Sequence, residues 1–92
     1  MATAYPEILE HLRTLLTDYR AKRVAISDLQ TAVWRAAETV VSYEDRDLRK
    51  FLQWVEGKLD VLQFTIEPPE QFTASLEIIA ALEEQLRKSL ST

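Results

Sequence analysis

Apolar residues recur every three or four positions in four stretches of this chain, and polar or proline-bearing breaks separate the stretches. The first runs from about Pro6 to Arg20. Proline suits the first helical position, where its missing N–H would have no partner in any case. Ile8, Leu12, Leu15, Leu16 and Tyr19 make the apolar face. Lys22 and Arg23 follow, where cations favour the negative end of a helix. Val24-Ala25-Ile26 is a short apolar link. Ser27-Asp28-Leu29-Gln30 then has the form of a capping box, with the serine oxygen on a first-turn N–H and the glutamine reaching back. Leu29, Val33, Ala36, Ala37 and Val40 give the second helix its face, and its alanines leave room for a close neighbour. It is expected to end near Ser42.

Ser42-Tyr43-Glu44-Asp45-Arg46-Asp47 is a polar break whose carboxylates suit the positive N-terminus of the next helix. That helix has the most regular pattern in the chain. Leu48, Leu52, Val55, Leu59, Leu62 and Ile66 step alternately by four and three, as in a heptad seam. Glu67-Pro68-Pro69 stops it, since proline lacks a donor and drives the preceding residue out of the helical region. A fourth helix is predicted from near Pro69 to about Leu90, with Phe72, Leu76, Ile79, Leu82, Leu86 and Leu90 on one side. Ser91 and Thr92 are expected to fray. Short links make consecutive helices antiparallel neighbours, so residues 1–92 are expected to form one all-α domain, a four-helix antiparallel up-down bundle. Three helices with a fourth attached is the alternative.

Composition narrows the function. Ninety-two residues support one core and leave little room for a deep pocket. One glycine and three prolines are too few for a hairpin-rich β fold. A net charge of −4 opposes non-specific binding to nucleic acid or an anionic membrane. The absence of cysteine excludes disulfides and thiolate metal sites. No apolar run reaches membrane-spanning length, and no charged-then-apolar leader is visible, so a cytoplasmic location is expected.

Catalytic constellations are missing. His11 is the only histidine and shares a helix face with Glu7, whereas di-metal bundle sites need several carboxylates and histidines on facing helices. Ser27, Ser42, Ser75 and Ser89 lie at expected caps or on helix surfaces, and none has a glycine neighbour to form a nucleophile elbow. Phosphate loops need glycines that the chain lacks. Asp45 and Asp47 are explained by helix capping. Arg13, Arg20, Lys22 and Arg23 invite comparison with helical chorismate mutases, but the break at Val24–Ser27 interrupts the long first helix on which that family relies. The expectation is a non-enzyme with no metal, no cofactor and no small-molecule substrate, whose partner is another protein.

A face for such a partner can be placed. Successive helical residues turn by about 100°, so Trp54, Gly57, Val61 and Phe64 fall together, broadly opposite the heptad seam. A mid-helix glycine implies close approach of another backbone or a site ruled by packing. Two readings remain open: the third helix is covered on both sides within its own bundle, or this strip is an intermolecular face, for a foreign protein or a second copy of the chain. Trp34 and Val41 on a flank of the second helix carry the same ambiguity. Asp60, Glu67 and Glu70 lie near one end of the strip and Glu44, Asp45 and Asp47 near the other, an arrangement suited to a partner with a basic cleft.

The stretch Leu16-Thr17-Asp18-Tyr19-Arg20-Ala21-Lys22-Arg23-Val24-Ala25-Ile26-Ser27-Asp28-Leu29-Gln30 resembles the opening of small helical bacterial toxin-immunity proteins of the colicin D type: a short helix, a basic or polar link, an isoleucine-serine cap and a second helix. The likeness covers about the first third of the chain; the seam from Leu48 to Ile66 and the double proline have no counterpart in it. It implies a cytoplasmic inhibitor that blocks a toxin, commonly a nuclease with a basic cleft, by means of acidic side chains. The matching region contains only Asp18 and Asp28, so no particular carboxylate carries over.

Overall fold

The computed structural model describes residues 3–91. Four helices, α1 (Pro6–Arg20), α2 (Ile26–Thr39), α3 (Arg46–Thr65) and α4 (Pro68–Leu90), follow one another with a single 3₁₀ turn at Tyr43–Asp45 before α3. They stand in a ring in chain order: α1 packs on α2 and α4, and α3 on α2 and α4, with the broadest contact between α2 and α3. Thr3 donates its N–H to the carbonyl of Ser89, and Gln30 at the start of α2 bonds Asp60 near the end of α3, so neighbours run antiparallel. The fold class read from the sequence is the one observed. Thr92 lies outside the described residues.

The core is a set of heptad-like lines. Leu48, Leu52, Val55, Leu59 and Leu62 of α3 are buried as the spacing implies, while Ile66, just past the helix end, is half-buried. Leu29, Val33, Ala36, Ala37 and Val40 are buried as expected. In α1 the buried line is Leu9, Leu12, Leu16 and Tyr19, with Ile8 and Leu15 at its margin, because α2 and α4 flank the helix and draw the Leu9 side inward. In α4 the buried line is Ser75, Ile79, Leu82 and Leu86, whereas Phe72, Leu76 and Leu90 are half-buried. Ser75 is therefore a core residue rather than the surface or capping serine that its polarity suggested. Tyr19 lies 2.8 Å from it.

Helix ends depart from the sequence reading in instructive ways. The start of α2 is capped two residues earlier than Ser27: Ala25 is the N-cap, and Asp28 returns its carboxylate to the Ala25 N–H at 3.0 Å. Alanine has no side-chain acceptor, so only this half of a capping box exists. Ser27 and Gln30 do not form the box, because Gln30 is drawn across to α3. α2 stops at Thr39 rather than Ser42, and Val41 lies beyond it. Both prolines fit within the first turn of α4, which begins at Pro68, after a Glu67 with the extended backbone (φ −61°, ψ 140°) that a following proline demands. The side chain of Gln71 donates to the carbonyls of Gln63 (3.3 Å) and Ile66 (2.9 Å), satisfying acceptors that the end of α3 leaves open.

Candidate partner-binding face

Among the described residues, α3 has neighbours on two shoulders and none on its back. Trp54, Val61 and Phe64 are 48%, 56% and 84% exposed, and they share that back with Gly57. Of the two readings of the strip, coverage by the helices of its own bundle is overturned: α2 and α4 occupy the flanks of the helix, and none of the described residues covers the outside. Gly57 makes no close approach within the chain either. A Cβ built there would meet nothing within 4 Å.

The edges of the strip are ordered. Toward α4, the Trp54 ring lies 5.7 Å from that of Phe51 and beneath the Lys58 ammonium, 5.7 Å from the ring centroid. It borders a shallow groove with Ala74 and Ile78. Toward α2, Gln30 donates its amide to Glu56 Oε1 (3.0 Å) and Asp60 Oδ1 (3.2 Å), while Gln63 donates to the Gln30 oxygen. A neutral amide thus holds two carboxylates side by side without a cation. Trp34, 52% exposed, borders the same groove as Gln30 and Glu56. Arg49 occupies this flank one turn before Gln53, with its Nε shielded from solvent and unbonded.

The acidic residues assigned to the face are placed unevenly. Asp60 is half-buried on its α2 edge, tied to Gln30. Glu44 and Asp45 belong to the 3₁₀ turn ahead of α3 and are engaged there. Glu44 accepts from the Ser42 hydroxyl (2.7 Å), and Asp45 accepts the N–H of Ala4 (3.1 Å). The Ser42 hydroxyl, the backbone N–H of Glu44 itself and the Arg46 charge hold the Glu44 carboxyl below its ordinary range. Asp47 is exposed on the first turn of α3. Tyr43, 72% exposed under the Arg46 guanidinium, is an aromatic of this end that periodicity could not single out, since it lies outside every helix.

Other concavities are open and shallow. One of about 300 Å³ between α1 and α2 has Ile8, Leu12 and Ala36 as its floor and Glu7, His11 and Arg35 at its rim. Among the described residues no group of three or more His, Cys, Asp or Glu side chains is arranged to hold a metal ion, and no helix is long and apolar enough to cross a membrane. Comparison with protein-family models, with curated proteins and with solved structures finds no match for this chain.

Proposed function

We propose that this chain is a non-catalytic protein-binding module whose docking element is the back of α3. The observation that carries the proposal is the strip of Trp54, Val61 and Phe64 left in water around an open Gly57. Tryptophan and other large apolar anchors supply most of the energy of protein interfaces when a partner desolvates them. A strip of roughly 400 Å² matches the largest apolar patch of a typical monomer, which is often functional.

The concrete form we favour is an immunity protein or antitoxin that blocks a bacterial toxin in the cytoplasm. Support comes from the likeness of Leu16–Gln30 to colicin D-type immunity proteins and from the net charge of −4, which suits a toxin with a basic cleft. Asp47, exposed beside the strip, and Asp60 at its edge are the carboxylates best placed to meet such a cleft.

The test is binding to the toxin-like product of a neighbouring gene. A nanomolar complex is expected, weakened at least tenfold by Trp54→Ala and by Phe64→Ala. No complex with any such product, or a complex indifferent to both substitutions, refutes the proposal.

A further inference from the structure

We propose that in the free protein the back of α3 is covered by the same face of a second copy, the two helices lying antiparallel across a dyad at Gly57. This rests on the reading of that face as a docking surface and names its partner.

Three features of the strip make it complementary to itself. The first is register. Trp54 stands three residues before Gly57 and Val61 four after it. An antiparallel dyad therefore sets each Trp54 against the partner's Val61, and each Lys50, seven before, against the partner's Phe64, seven after. The second is the notch. Gly57 presents no side chain at the crossing point and has open space above it, so two helix axes can approach more closely there than anywhere else along the strip. The third is charge. Arg46 and Lys50 lie on the back of α3 before Gly57, and Glu67 and Glu70 follow its C-terminal end. Asp47 projects about 100° further round, toward α4. None of Lys50, Glu67 and Glu70 takes part in an ion pair among the described residues. Antiparallel pairing brings each Lys50 within a turn of the partner's Glu67, while parallel pairing would set each Lys50 against the partner's Lys50.

The area is adequate. With about 150–250 Å² for a whole aromatic side chain, Trp34, Trp54 and Phe64 together expose roughly 400 Å². That is about half of the ~800 Å² per partner in a standard interface, before Val61 and the polar rim are counted. A dyad perpendicular to α3 also turns α2 toward its own mate, which brings the two Trp34 side chains to the same edge. Self-association would keep the strip out of water until a foreign partner displaces the second copy.

The chain has no cysteine, which makes a clean test available. Light scattering over a concentration series should give the mass of a dimer. Gly57→Cys places one thiol on the dyad and should form a disulfide-linked dimer on mild oxidation, whereas Thr14→Cys on α1 should not. Gly57→Arg should give a monomer that melts no lower than the parent does at concentrations where the parent has dissociated, because the site is open within the chain and arginine is the better helix former. Lys50→Glu should weaken the dimer at least tenfold, and adding Glu67→Lys should restore it. A parent that is monomeric throughout, while Trp54→Ala and Phe64→Ala still weaken a foreign complex, overturns the self-pairing and leaves the docking face standing. A dimer that survives Gly57→Arg overturns it too, by placing the contact elsewhere. Indifference of every complex to Trp54→Ala and Phe64→Ala removes the docking face itself.

Discussion

The hydroxyls of Tyr19 and Ser75 meet at 2.8 Å in the core, and a third group fixes the direction of the bond. Ser75 Oγ lies 2.7 Å from the Phe72 carbonyl, which can only accept. The single Ser75 hydrogen goes there, so Tyr19 donates to Ser75. The two substitutions are therefore unequal. Ser75→Ala leaves the buried Tyr19 hydroxyl without an acceptor and should cost about 1–3 kcal/mol. Tyr19→Phe leaves Ser75 bonded to Phe72 and should cost only about 0.5–1.5 kcal/mol. Urea unfolding of both variants checks the order, and equal losses would show that Tyr19 finds another partner.

Gly57→Ala should stabilise the monomer by about 0.5–1 kcal/mol, the usual gain of alanine over glycine within a helix. The new methyl group meets nothing inside the chain. Denaturation at the lowest workable concentration is the measurement, and a loss of stability there would mean that the glycine packs against its own bundle after all.

Lys22 takes the left-handed conformation, φ 61°, at the end of α1. The N–H groups of Arg23 and Lys22 reach back to the carbonyls of Asp18 and Tyr19, each at 2.9 Å, which is a Schellman closure. Glycine usually fills that position. Here the lysine ammonium instead sits 4.8 Å from the centre of the Phe72 ring. Relief of the left-handed strain, about 1 kcal/mol, and loss of the cation–π contact, about 0.5–1 kcal/mol, should nearly cancel in Lys22→Gly. In a Phe72→Leu background the full gain should emerge. A double-mutant cycle with no coupling between the two sites would contradict this account.

Two exposed carboxyls, Glu44 beside the Ser42 hydroxyl and Glu84 beside Arg87, titrate below their ordinary range. Between the folded and unfolded values the unfolded chain binds more protons, so stability rises with pH. Their contribution is complete above the ordinary carboxylate range and is lost as the pH falls through the folded values. Ser42→Ala should make the acid limb of the stability profile shallower, and added salt should flatten it further. An unchanged limb would mean that the Ser42 bond contributes nothing to the acid dependence.

Much of the fold could be read from spacing alone. The four-three alternation from Leu48 to Leu62 fixed which side of α3 is buried, and by rotation it also fixed where Trp54 to Phe64 point. Whether that second side is covered depended on how many neighbours α3 has, which is a property of the ring rather than of any one helix. Other misreadings share a cause. The spacing of Gln30 suits a local cap, yet its amide bonds Glu56 and Asp60, 26 and 30 positions away. The polarity of Ser75 points to the surface, yet it occupies a core position because Tyr19, from another helix, supplies it with a partner. The α2 cap moved to Ala25 because Asp28 at the third helical position was a better return partner than Gln30, which was engaged elsewhere.

The ring arrangement sets the order of assembly. Contacts between α1 and α2, α2 and α3, and α3 and α4 join segments adjacent in the chain, and only the α1–α4 seam joins its ends. Low contact order of this kind goes with folding in microseconds to milliseconds. The α2–α3 hairpin, with the broadest contact, can form early, whereas α1 reaches α4 only after about sixty residues of loop have been closed. α1 is therefore the helix expected to detach first. In native-state hydrogen exchange its amides should open well below the global unfolding free energy, with those of Leu52 to Leu59 in α3 opening last. Uniform protection of all four helices would show instead that the ring opens only as a whole.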